Sequence, residues 1–287
     1  MKERKKVLLW LLIVAVLLAA SILTGNHAGQ SETIQQTMRD AVLHNENRID
    51  LLGWKAVNPG LISGFVVTAI LLIAAAVLRI FWIPRFKYVP GRCQLVLEEV
   101  VGLFDRMAKT SSPRMNRFLG AYIFGAGVYI FVGTLFELFG FQAITTAGRA
   151  ITLPAPLSDV NGAIALGCLS YVVILSGGIA GNGIKGVKAT LKEFSLPISM
   201  SFRLFGALLS GLLVTELVYY YINLSYILPV VVGVLFTLLH AVIQSYVLTM
   251  LTAMFYGEVS QPEPETEKEP KHARARHRSH ENTPQAA

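Results

Sequence analysis

Arg203 stands inside an apolar stretch, in Pro197-Ile-Ser-Met-Ser-Phe-Arg-Leu-Phe-Gly206, as the tenth residue of the run 194–222. An arginine near mid-bilayer costs about 2.5–3.5 kcal/mol on insertion scales, and a guanidinium does not escape by losing its proton. A charge kept at that depth is either half of a structural ion pair inside a bundle or a working group that acts on an anion. If the chain turns at Leu224, Gln244 lies 20 residues after the turn and Arg203 lies 21 before it. The two then share nearly one depth on neighbouring helices. A glutamine carbonyl holds a guanidinium without neutralising it, which leaves the charge free for a carboxylate on another chain. The plainer role for Gln244 is a hydrogen bond between helices.

Carboxylates surround this pair at staggered depths. Glu216 lies 13 residues beyond Arg203, Glu137 stands near the end of another apolar run, and Asp159 and Asn161 stand where a loop re-enters one. A buried carboxylate exchanges protons close to neutral pH. Several on one side of the membrane would line an aqueous path that stops short of the other side; singly, each is also an ordinary interfacial residue. The same turn places the titratable His240 opposite Leu208, between Arg203 and Glu216, either lining that path or packing as a satisfied histidine. Glu193 and Ser199, with Lys185, Lys188 and Lys192 beside them, sit at the other end of the arginine's run. They mark an access path from that side or are interfacial anchors.

The elements that must hold these groups are membrane spans. Of the 287 residues 53% are apolar and 15% charged, against about 25% charged in an average soluble chain, and mean hydropathy is +0.54. Apolar runs at 61–83, 118–139, 162–179, 194–222 and 226–256 make five transmembrane helices of an all-α protein. The last two runs, of 29 and 31 residues joined only by Asn223, Leu224 and Ser225, are roughly 43 to 47 Å long as helices. Hydrocarbon is about 30 Å thick, so they form a hairpin that tilts steeply or protrudes. Residues 94–107 are amphipathic, with Leu95, Val96, Val100, Leu103 and Phe104 at helical spacing, and read as a helix on the membrane surface. Residues 141–159 and 181–193 read as connectors.

Residues 1–28 read as a signal peptide or an amino-terminal span, because Lys2, Arg4, Lys5 and Lys6 precede the apolar run 7–23. Residues 29–58 read as an extracytoplasmic segment, 59–257 as the membrane domain and 258–287 as a disordered cytoplasmic tail. Arg85, Lys87, Arg92, Arg106, Lys109, Arg114 and Arg117 crowd one connector, three lysines another, and five basic residues the tail. The positive-inside rule makes that side cytoplasmic. The net charge of +7 is accounted for by this topology, so no nucleic-acid partner is expected. Cys93 and Cys168 are too few for a disulfide framework or a thiolate metal site, and His240 is the one histidine in an apolar run, so no haem pair exists. No Gly-rich phosphate loop is present, and no cofactor or metal is expected.

At these residues the chain resembles the a subunit of F-type ATP synthases in its bacterial and chloroplast form, from about residue 61 to 256. The stretch 197–206 is similar to the family's Pro-Leu-Ser-Leu-Ser-Phe-Arg-Leu-Phe-Gly, and Gln244-Ser-Tyr-Val-Leu-Thr-Met-Leu-Thr252 to its Gln-Ala-Tyr-Val-Phe-Thr-Leu-Leu-Thr. Asp159-Val-Asn161-Gly-Ala-Ile-Ala-Leu is similar to its Asp-Leu-Asn-Val-Thr-Leu-Ala-Leu. Pro90 through Gln94 to Glu98 matches its Pro-x-x-x-Gln-x-x-x-Glu connector.

The resemblance implies a non-catalytic stator subunit in the bacterial inner membrane, carboxy terminus in the cytoplasm. It implies as partners a rotating c-subunit ring, the b-subunit peripheral stalk and the rest of the synthase. Arg203 would then force each ring carboxylate to give up its ion before passing, between two offset half-channels. The chain departs from the family pattern at Ala207 for asparagine, at Leu212 for a glutamate nine residues after the arginine, and at Thr237 for a His or Glu. The family's asparagine before Leu-Leu-Gly in an earlier span is replaced by Glu137 before Leu-Phe-Gly. The reading from another class is a stand-alone transporter or channel whose Arg203 binds an anion; the absence of internal repeats counts against it. A third is a non-conducting membrane scaffold.

Overall fold

The computed structural model describes residues 49–51, 54–114, 116–144, 150–220 and 228–261, with isolated positions at 12, 15, 16, 19, 33, 35, 36 and 39. The run 7–23 as a unit, most of the segment before residue 49, the turn 223–225 and the tail beyond residue 261 lie outside the described residues.

A short strand pair, β1 (Ile49–Leu51) and β2 (Trp54–Val57), leads into α1 (Pro59–Val77). Asn58 starts α1 by accepting the Gly60 N–H at 2.9 Å, with Pro59 preset in the first turn. The helix runs on through a wide turn at Leu78–Trp82 and a tight one at Ile83–Arg85, where Pro84 ends it. Then come α2 (Arg92–Ser111), α3 (Asn116–Phe139), a second strand pair β3 (Gln142–Ile144) and β4 (Ala150–Thr152), α4 (Val160–Asn182), α5 (Ile184–Lys192), α6 (Ser195–Tyr220) and α7 (Leu228–Ser260).

Five stretches among the described residues are long and apolar enough to cross a membrane: Pro59–Arg85, Asn116–Phe139, Val160–Asn182, Ser195–Val218 and Val231–Ser260. They correspond one for one to the five expected runs, and the protein is an all-α membrane protein with two small strand pairs. At 26 and 33 residues, α6 and α7 are roughly 39 and 50 Å long. Both exceed the apolar layer.

The main core is a cluster in which α3, α4, α6 and α7 meet, and a second, smaller one joins Val67 of α1, Phe136 of α3 and Leu153. Leu119, Ile123, Ile130, Ile174, Met200, Leu204 and Leu248 are buried in the main cluster. Outside it the surface stays apolar: Phe65, Leu72, Phe202 and Leu235 are each 60% exposed or more. Helices apolar on every side have no water-facing stripe, as expected where lipid is the solvent. Several hydroxyls in these helices return their protons to the preceding turn. Ser63 donates to the Pro59 carbonyl, Thr134 to Ile130, Ser201 to Pro197 and Thr252 to Leu248. No hydroxyl in that set needs water.

The amphipathic segment is α2, longer than expected at both ends. Phe104 and Ala108 face inward, while Leu95, Val96, Val100 and Leu103 stay exposed. Its charges pair with one another, Glu99 with Arg106 and Asp105 with Lys109, each at 2.6 Å on the open surface, where such pairs add about 0–1 kcal/mol.

Two connectors have more structure than expected. Residues 181–193 contain helix α5, because Gly183 takes φ +58° and folds the chain back. Gly178 and Gly186 then lie backbone on backbone, leaving no room for a Cβ on either. Tyr171 donates its hydroxyl proton to the Thr190 carbonyl at 3.0 Å. Residues 141–159 contain β3 and β4, paired antiparallel with Ala143 opposite Ile151, and a tight turn at Pro156–Ser158. α7 also continues into the start of the stretch read as tail. Asn182 Nδ2 donates to the Val259 and Gln261 carbonyls at 2.9 and 2.6 Å, and the Ser112 and Ser260 hydroxyls lie 3.3 Å apart.

The bundle therefore has two unlike ends. One carries both strand pairs and the starts of α1 and α4, and we call it the strand end. The other carries α2, α5 and the close of α7, and we call it the basic end.

Candidate functional site

Arg203 lies in the third turn of α6. Its neighbours Met200, Leu204 and Leu208 are buried in the core, whereas Phe202, Arg203, Gly206 and Ser210 face out of the bundle. Among the described residues Arg203 makes no hydrogen bond and no ion pair. The chain thus presents a guanidinium sideways from the wall of a membrane bundle, and none of the described residues answers it.

Gln244 does not hold it. The expected bond is absent: Gln244 is 6% exposed, and its Oε1 is buried with no partner among the described residues. The register explains why. The His240 ring rests on Gly211, where an added Cβ would lie 3.5 Å from Nδ1, and not on Leu208 as the turn arithmetic had it. Glycine leaves the room that an imidazole needs and leucine does not. Carried along the pair, the same offset sets Gln244 level with Ala207, one turn of α6 nearer the strand end than Arg203. The Phe236 ring lies tilted beside the imidazole, with ring centroids 5.9 Å apart.

Glu137 and Glu216 stand on the same end of the bundle. They lie near the strand-end termini of α3 and α6, both half-buried, close enough for one carboxylate to act on the other's charge. Sequence separation gave no sign of this pairing. Counting along α6, Glu216, the His240 level at Gly211, the Gln244 level at Ala207 and Arg203 form a descending series. From Glu216 to Arg203 it spans roughly 20 Å at 1.5 Å per residue.

Asp159 and Asn161 are elsewhere. Asp159 caps α4, accepting from the Asn161 N–H at 3.2 Å and from its Nδ2 at 3.4 Å. It packs against Gly60 of α1, whose Cβ, if present, would lie 3.0 Å from its own. No described hydrogen bond or ion pair ties these two residues to Glu137 or Glu216.

At the basic end Glu193 closes α5 and borders a cavity of about 290 Å³ with Lys185, Lys192 and Glu258. Ser199 is exposed on α6, one turn below Arg203. Glu258 was read as the first residue of the tail, and nothing local marks it as part of a cavity. Ser245 was also missed. It donates to the Gly127 carbonyl at 2.8 Å in a buried contact between α7 and α3, and it thereby fixes the rotation of the helix that carries Gln244 and His240. Among the described residues no group of three His, Cys, Asp or Glu side chains is placed to hold a metal ion.

A family model described as ATP synthase A chain matches residues 63–257, a range that contains every candidate residue named above except Glu258. The chain is similar to ATP synthase subunit a of Cereibacter sphaeroides strain ATCC 17025 / ATH 2.4.3, 27% identical over 199 residues, 65% of this chain and 76% of the relative. It has the same identity and coverage against ATP synthase subunit a of Cereibacter sphaeroides strain ATCC 17029 / ATH 2.4.9.

Proposed function

Because this chain belongs to the ATP synthase A chain family, and so is a multi-pass membrane subunit of an F-type ATP synthase, we propose that Arg203 is the fixed charge past which a ring of c-subunit carboxylates turns. The observation that carries this reading is the exposed guanidinium with no partner among the described residues. A charge pair about 4 Å apart is worth about 4 kcal/mol at an effective dielectric of 20, against about 1 in water. A ring carboxylate arriving protonated gains none of that attraction, so contact with Arg203 favours release of its ion. The cation then blocks a continuous leak between the two sides.

The path from the strand end runs past Glu137 and Glu216, then His240, to the level of Gln244. Glu216 does the work of the family's glutamate from one turn further out. It is four residues beyond Leu212, and at 100° per residue the two positions differ by about 40° around the helix. Glu137 supplies a second acid beside it. From the basic end, Glu193 and Ser199 mark the approach to the foot of α6. The basic end faces the cytoplasm by the positive-inside rule, which turns the carboxy terminus inward, and the family reading makes the membrane a bacterial inner membrane. The b-subunit stalk holds the subunit against the turning ring. ATP chemistry resides in partner chains.

Proton flux through the reconstituted synthase tests the path. Glu216→Gln is expected to slow ATP-driven pumping strongly and Glu137→Gln to slow it less. Undiminished flux in both variants would remove this path.

A further inference from the structure

Between α1 and α4 at the strand end lies a cleft of about 560 Å³ that opens sideways onto the membrane face, and the descending series of polar groups does not use it. We propose that it is a binding site for one phospholipid of the strand-end leaflet with an ammonium headgroup, the carboxylate of Asp159 recognising the ammonium and the cleft holding an acyl chain.

Depth is the first argument. The cleft begins at Gly60 and Asp159, at the starts of the two helices, and reaches Thr68 and Leu169. Thr68 lies nine residues into α1 and Leu169 nine into α4, about 13 Å along either helix. That is close to half of a hydrocarbon core about 30 Å thick, the depth of one leaflet. A partner helix crossing the membrane would need a groove through the whole thickness, and this one stops midway.

The distribution of polarity is the second. The walls are apolar and include the exposed Leu61, Phe65 and Leu169. Charge is confined to the mouth. There Asp159 spends one oxygen, Oδ1, on the cap of α4, and its Oδ2 has no partner among the described residues. A carboxylate oxygen at headgroup level with no described partner suits a cation, and repels a lipid whose only charge is a phosphate. Gly64 keeps the cleft open: the Tyr129 hydroxyl stands 3.4 Å from where its Cβ would be.

The test uses the assembled synthase in vesicles of phosphatidylethanolamine and phosphatidylglycerol. A phosphatidylethanolamine probe with a diazirine midway along one chain is photolysed, and labelled peptides are mapped by mass spectrometry. Label is expected to concentrate on 60–69 and 159–169, about tenfold above other lipid-facing segments. The matching phosphatidylglycerol probe is expected to label them weakly. Gly64→Leu fills the cleft and should abolish that label while leaving labelling elsewhere unchanged. If that variant does not assemble, Ala165→Phe fills it from the facing wall. Asp159→Asn keeps the cap acceptor and should equalise the two probes. Even labelling over the whole apolar surface, equal labelling by both probes in the unmodified protein, or a cross-link showing a partner subunit's helix in the cleft would each overturn the proposal.

Discussion

Replacing Arg203 with alanine separates function from fold. The side chain is exposed and makes no hydrogen bond or ion pair among the described residues. Its loss forfeits no described hydrogen bond or ion pair, so the change in stability should stay within about 0.5 kcal/mol. The next residue is the control. Leu204 is 1% exposed and sits in the core with Met200, Leu208 and Leu248. Leu204→Ala should cost about 2–5 kcal/mol, and 2 kcal/mol alone is a factor of about 30 in the folded ratio. Thermal unfolding of the purified complex, its assembled fraction, and ATP-driven proton pumping in inverted vesicles read the two quantities apart. Arg203→Ala should assemble at the normal level and pump at background, and Arg203→Lys should restore little, since a compact ammonium does not reproduce the planar fork. Leu204→Ala should assemble poorly, and the fraction that assembles should pump. If Arg203→Ala destabilised the protein as much as Leu204→Ala does, the guanidinium would have a structural partner within the subunit. Coupled synthesis by Arg203→Ala would remove its proposed role altogether.

Ser245→Ala removes the second donor to the Gly127 carbonyl, which keeps its helical N–H, and should cost about 0.5–1.5 kcal/mol, seen as a lower Tm of the complex; Ser245→Thr, which keeps a hydroxyl, should recover part of it. A Cβ at Gly257 would collide with the Ser111 backbone, so Gly257→Val should detach α2 from α7 and leave little assembled subunit on a native gel. Gly206 has open space around it, and Gly206→Ala should assemble normally in the same assay.

The membrane character of the chain, its five spans, and an arginine stranded among apolar residues were all legible in the sequence, because each depends only on what is adjacent along the chain. Run length against bilayer thickness sets the spans. A charge inside an apolar run remains there however the helices pack. The helix at 184–192 and the strand pair beside Pro154 were not legible. One depends on Gly178 and Gly186 meeting across a turn, the other on two three-residue strands too short to show a pattern.

Which polar groups meet was decided only by the tertiary structure. α3, α6 and α7 are apolar around their whole circumference, so no stripe states which side turns inward. Rotation and register follow instead from close contacts. Gly211 accepts the His240 ring, Ser245 reaches Gly127, and Gly127 leaves room for Phe104. Those contacts fix the faces that α3, α6 and α7 turn to one another and bury Gln244, while Asp159 is set apart by its close approach to Gly60 of α1. One turn of slip along a helix moves a side chain by about 5.4 Å, enough to make or break any of these encounters, and composition does not encode so small a distance.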